Sequence, residues 1–165
     1  MIEGFNVTLT LSRGEAVPVL RDNLPVAMDR LMDAQAAMFA APDAKTDFDD
    51  QTIHHFTRGV YGREFRMPAG QTVMSKIHRH DCFFVMLEGE MLIAGNQGKR
   101  HVKAGDWFIT EPGAKRCVHA LTDVRCMTFH GSQERDLAAL EAELIEPEET
   151  PAQIAMECDL IGRVF

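Results

Sequence analysis

The segment KIHRHDCFFVMLEGE, residues 76–90, gathers the side chains best suited to chemistry. Lys76, His78, His80, Cys82 and Phe84 alternate, so a single strand through them would point all five to one face. Two imidazoles and a thiol on one face can reach a common ion, because imidazole ligands stand about 2.0–2.1 Å from zinc. Neutral imidazole and thiolate favour a transition metal such as zinc or iron over magnesium. His119 and His130 lie on later strands and complete a candidate metal set of His78, His80, Cys82, His119 and His130. The same row can equally line a barrel, hydrogen-bonded within itself or to water. Cys82 would be a nucleophile only with a depressed thiol pKa, and without a Cys-His-Asn pattern it reads as a buried, inert thiol.

The elements that must position these residues are short. Val7–Ser12 alternates weakly as a strand, and Leu24, Met28, Leu31, Ala34 and Met38 recur at helical spacing. With Asn23 as N-cap and Pro25 in the first turn, they predict an amphipathic helix over 24–40. Residues 41–51, APDAKTDFDDQ, read as a polar, acidic linker or exposed loop. From Thr52 to His130 short apolar segments are broken by Gly, Pro, Asn or Asp: 63–67, 72–80, 82–87, 90–94, 100–102, 107–110, 115–121 and 124–130, with a turn at 95–98. This pattern predicts an antiparallel barrel or sandwich. His54 and His55 read as ordinary strand-edge residues, and Trp107 with Phe108 as core and rim. Ser132 is placed to cap a helix whose stripe is Leu137, Leu140, Leu144 and Ile145, ending before Pro147. Three segments follow: 1–51 as strand, helix and linker, 52–130 as the barrel, and 131–165 as a C-terminal helix and tail.

The chain has 165 residues, 45% of them hydrophobic and 25% charged, with a formal net charge of −8. That suits one globular domain and argues against nucleic acid or an anionic membrane as main partner. Four scattered cysteines without CxxC, and an N-terminus without an apolar leader, predict a reducing, cytoplasmic setting with free thiols. No apolar run approaches the ~20 residues of a membrane span.

Between residues 60 and 130 the sequence resembles the cupins, through IHRH (77–80), VMLEGE (85–90) and AGDWFITEPG (104–113). The resemblance implies a mainly β fold, a cupin jelly-roll barrel with flanking N- and C-terminal helices and a site in the barrel mouth. Metal-binding cupins usually supply two histidines and a glutamate from the first motif and a histidine from the second. Counting back from Gly89, the first three positions fall on Lys76, His78 and Cys82, and three residues after the glycine of PG the fourth falls on Arg116, so His78 alone keeps the usual type. Lys76 and Arg116 would repel a cation and favour a carboxylate or phosphate, unless they pair with Asp81, Glu88, Glu90 or Glu111. A narrower likeness, carried by KIH, PGAKR (112–116) and the helix with DLAALE, is to small cupins encoded by tailed phages and prophages.

Two classes of function follow. One is a non-enzymatic cupin, either a virion-associated accessory protein or a small-ligand-binding protein with a degenerate metal site. The other is a metal-dependent enzyme of dioxygenase or isomerase type. The missing glutamate and second-motif histidine favour the first. The expected cofactor is none or one transition metal (Zn or Fe), and the ligand a small anion. The expected partners are further copies of the chain, since jelly-roll sheets leave edge strands to be covered, and other virion proteins if the chain is phage-encoded.

Overall fold

The computed structural model describes the backbone of residues 5–10, residues 18–148, and Val164. Ten strands follow in chain order: β1 (Phe5–Thr10), β2 (Thr52–Phe56), β3 (Val60–Met67), β4 (Gln71–Ser75), β5 (Cys82–Glu88), β6 (Glu90–Gly95), β7 (Gly98–Lys103), β8 (Trp107–Thr110), β9 (Arg116–Ala120) and β10 (Val124–Gly131). They form two five-stranded antiparallel sheets, β1-β4-β9-β6-β7 and β2-β3-β10-β5-β8. Two helices flank them, α1 (Met28–Ala40) and α2 (Leu137–Leu144). The result is a jelly roll, as the spacing of short strands predicts.

Gly89 lets the chain cross between the sheets from β5 to β6. Its φ is +82°, and a Cβ there would stand 2.1 Å from the Asp123 carbonyl oxygen. Only glycine fits that turn.

Alternation then sorts side chains between the inside and outside of the barrel. Phe65, Met67, Val73, Phe84, Met86, Met91, Ile93, Val118, Val124 and Cys126 fill the interior. On the outer face of the first sheet, Leu31, Ala34 and Met38 of α1 cover Met74, Leu92, Ala94 and Cys117. Burying each of the larger side chains in this layer contributes about 1.5–3 kcal/mol. Leu140, Leu144 and Ile145 pack with Tyr61 and Phe56 across one end of the barrel.

Several sequence expectations need correction. Helix α1 begins at Met28 with no side-chain cap. Residues 23–26 are outside the helix and tied to the barrel instead: Val26 N donates to Gly95 O (2.9 Å) and Asn23 O accepts from Lys99 N (3.3 Å). Leu24 stays 64% exposed, outside the buried stripe. The acidic linker is not merely exposed, since Phe48 is fully buried in the barrel core beside Phe65, with ring centroids 5.9 Å apart. The cap of α2 is Asp136, which accepts from Ala139 N at 2.9 Å, whereas Ser132 bonds Glu143. Trp107 is not core: parity sends it outward, 63% exposed, while Phe108 turns in against Phe84. Apart from Val164, the tail beyond 148 lies outside the described residues, as does Cys158.

Candidate functional site

The row Lys76, His78, His80, Cys82 and Phe84 does not stay on one strand. β4 ends at Ser75, and residues 76–81 leave the sheet. They leave because they pair with the chain after α2: Arg79 N donates to Leu144 O (2.8 Å), Glu146 N to Ile77 O (2.9 Å), and His78 forms a bridge with Ile145. Arg79 Nε also reaches Ile145 O at 2.8 Å. The bend turns His78 inward and leaves His80 exposed.

Among the described residues, three of the five metal candidates meet. One ligand atom each from His78, Cys82 and His130 lies within 4.8 Å of the others, and all three residues are buried. His78 Nδ1 and Cys82 Sγ are 3.5 Å apart. The His78 and His130 rings meet edge to face at 5.2 Å. His130 stacks on Tyr61 at 5.8 Å, and its Nε2 meets Thr128 Oγ1 at 3.1 Å. His119 sits elsewhere. It shares the outward parity of Cys117, under α1, and its Nδ1 meets Thr72 Oγ1 at 2.8 Å. His54 bonds the Tyr61 hydroxyl (2.7 Å), and His55 bonds Glu64 (3.3 Å).

Burial sets the charge state of the cluster. It holds the His78 imidazole well below the ordinary histidine value, with Arg63, His130 and Arg116 pushing the same way. It lowers His130 to about 3, again with Arg63 contributing. Burial pushes the Cys82 thiol up, although Arg63 and Arg116 oppose it. At neutral pH the cluster is therefore two neutral imidazoles and a protonated thiol. Donors at 2.0–2.1 Å (N) and 2.3 Å (S) on a tetrahedral zinc or iron centre stand about 3.5 Å apart, which the His78–Cys82 pair matches, while the three donors together are held only within 4.8 Å. The local charge works against it, since two guanidiniums face the cluster and the thiol resists ionising.

Below the cluster the interior holds a cavity of about 40 Å³. A water needs roughly 10–15 Å³ by this measure, so the space takes about three waters or one carboxylate-sized group. Arg63, Lys76 and Arg116 line it together with Ser75, Thr110 and Thr128, and no acidic side chain among the described residues does. Arg63 is 3% exposed. Lys76 is paired with Glu141 of α2, so the ion pairs with Asp81, Glu88, Glu90 or Glu111 considered from sequence do not form for it. Arg116 has no carboxylate within ion-pair distance among the described residues. Its guanidinium lies over the Phe108 ring, 5.4 Å from the centroid, and burial brings its pKa down to about 10.

Residues 63–130 match the family described as the cupin domain. The chain has a cupin fold. Its cupin barrel is similar to a cupin-2 domain protein from Shewanella frigidimarina (14% identity, 49% of this chain and 79% of that one, TM-score 0.42). It is also similar to a putative ethanolamine utilization protein Q from Salmonella typhimurium (16%, 50% and 69%, TM-score 0.44). A third similar structure is a salicylate 1,2-dioxygenase from Pseudoaminobacter salicylatoxidans (15%, 59% and 29%, TM-score 0.48). No curated protein matches the sequence.

Arg63 is the cupin interior residue that sequence reasoning missed. The signal was present: it shares parity with Tyr61, Phe65 and Met67, a charged residue on an otherwise apolar face of β3.

Proposed function

We propose that this protein is a non-enzymatic, small-ligand-binding cupin whose barrel takes up a small anion through Arg116 and Arg63. The observation that carries the reading is the cavity wall: among the described residues three cations line it and no carboxylate does. Arg116, largely desolvated and without a carboxylate at ion-pair distance among the described residues, is costly to hold there, and a bound carboxylate or phosphate repays that cost with paired charge-assisted hydrogen bonds. Thr110 and Thr128 offer hydroxyls to the same space. The narrower likeness to phage-encoded cupins runs through Lys76, His78 and Arg116 of this site but names no ligand for it.

The test is thermal unfolding with small anions against neutral isosteres. Acetate or malonate is expected to raise the midpoint in step with concentration, as ligands of the native state do, while acetamide or malonamide leaves it unchanged. Equal effects from the charged and neutral members would sink the reading.

The His78, Cys82 and His130 cluster supports a second reading, a metal-dependent enzyme, through its donor spacing alone. A bound zinc or iron would supply Lewis-acid chemistry beside the cavity. Elemental analysis of purified protein separates the two: one transition metal per chain, lost in His130→Ala, would favour the enzyme.

Self-association belongs to the first reading. Phe83, Trp107 and Ile109, each at least half exposed, share the outer face of the second sheet at its β8 edge. A dimer or larger assembly is the expected result of light scattering, and a monodisperse monomer at micromolar concentration would contradict it.

A further inference from the structure

The cavity poses a problem of access and of size. The end beside His78 is closed, because α2 and residues 145–148 are tied down by several contacts. Glu141 pairs with Lys76, and Glu148 receives Lys115 Nζ at 2.7 and 2.9 Å and Ile77 N at 3.1 Å. The interior itself admits about one carboxylate-sized group. A ligand of any greater length must therefore project through another side.

The wall opens between β7 and β8. These are edge strands of different sheets, so no hydrogen-bond ladder joins them. A small cleft there is lined by Arg100, Phe108 and Arg116, and Phe108 and Arg116 face it and the neighbourhood of the cavity at once. Arg100 shares the inward parity of Val102 on β7 but reaches the seam, where it is exposed. Its guanidinium lies 4.4 Å from the Phe108 centroid, and that of Arg116 lies 5.4 Å from the same ring. Neither has a carboxylate within ion-pair distance among the described residues. Two like charges gathered on one aromatic ring repel each other unless an anion lies between or beside them.

We propose that Arg100, Phe108 and Arg116 form a second anion subsite at the β7–β8 seam, so that the ligand is a dicarboxylate with one carboxylate in the barrel and the other at Arg100. This rests on the reading of the barrel as an anion site and adds the class of ligand to it. Phe108 contributes a flat apolar surface for the short carbon chain that joins the two charged ends. Lys103, on the same strand, is exposed and sits at Glu90 (3.8 Å) away from the seam.

The experiment follows binding by the fluorescence of Trp107, the only tryptophan in the chain and the neighbour of Phe108. Malonate, succinate and glutarate are compared with acetate and propionate on wild type, Arg100→Ala and Lys103→Ala. At least one dicarboxylate is expected to bind wild type ten times or more tightly than acetate. Arg100→Ala should lose that excess while keeping its acetate affinity, and Lys103→Ala should retain both. Equal affinity for mono- and dicarboxylates overturns the subsite and leaves the barrel reading intact. Loss of the preference in both variants alike would reduce it to the general field of the surface, which also overturns it. Binding of neither class by wild type overturns the barrel reading and the subsite together.

Discussion

Replacing Arg116 by methionine is expected to abolish anion binding and, at the same time, to stabilise the ligand-free protein. The two signs differ if the guanidinium serves a bound anion, as proposed, and has no carboxylate partner of its own among the described residues. Without the anion it is a mostly buried charge whose pKa burial has lowered to about 10. Methionine fills similar volume without that desolvation cost, so a gain of about 1–3 kcal/mol is expected in urea unfolding. The lost stacking on Phe108 offsets about 0.5–1 kcal/mol of it. With the anion present, two charge-assisted hydrogen bonds of about 1.5–3 kcal/mol each disappear, which weakens binding by about a hundredfold or more. A structural arginine would behave otherwise: the variant would be less stable and the anion affinity unmoved.

Acid is expected to destabilise the protein well above the pH at which carboxylates titrate. His78 and His130 have native pKa values depressed by burial, His130 to about 3, and His54 and His119 are shifted the same way. In the unfolded chain these groups titrate near 6.5. Between the two values the unfolded state binds more protons than the native state, so stability rises with pH there and is lost as pH falls from about 6.5 towards 3. Each buried histidine contributes a slope approaching 1.4 kcal/mol per pH unit. Unfolding free energies at pH 7, 6 and 5 are expected to fall with a steepness that His130→Phe reduces. A profile flat from 7 to 5, or unchanged in that variant, would show that the imidazoles are not buried neutral. The groups facing His78 and His130 are Arg63, Arg116, Tyr61, His80 and Cys82, none of which supplies a carboxylate to hold the protonated form, whereas Asp49 partly opposes the shift of His54.

The barrel was legible because local signals agree with the global fold. Glycines mark the turns, alternation marks the strands, and the two glycine-centred motifs arrive in order. The site was legible only in part. Parity placed His78, His80 and Cys82 on one face on the assumption that β4 continues to residue 80, but pairing with residues 144–146 ends it at Ser75. No sequence period reports a contact between segments some 65 residues apart. His119 faces outward because Val118, not its neighbour, points into the barrel. Arg116 was legible as a cation in a ligand position. Arg63 and Arg100 were not recognised, though each is a charge on an inward parity, beside Phe65 and Val102 respectively.

The most direct measurement is a crystal structure of the protein grown with malonate, with anomalous data collected at the zinc and iron edges. Density is expected for an anion within hydrogen-bond distance of the Arg116 guanidinium, with no anomalous peak among His78, Cys82 and His130. A cavity holding only water beside Arg116, with a transition metal bound by those three residues, would contradict the proposed anion site.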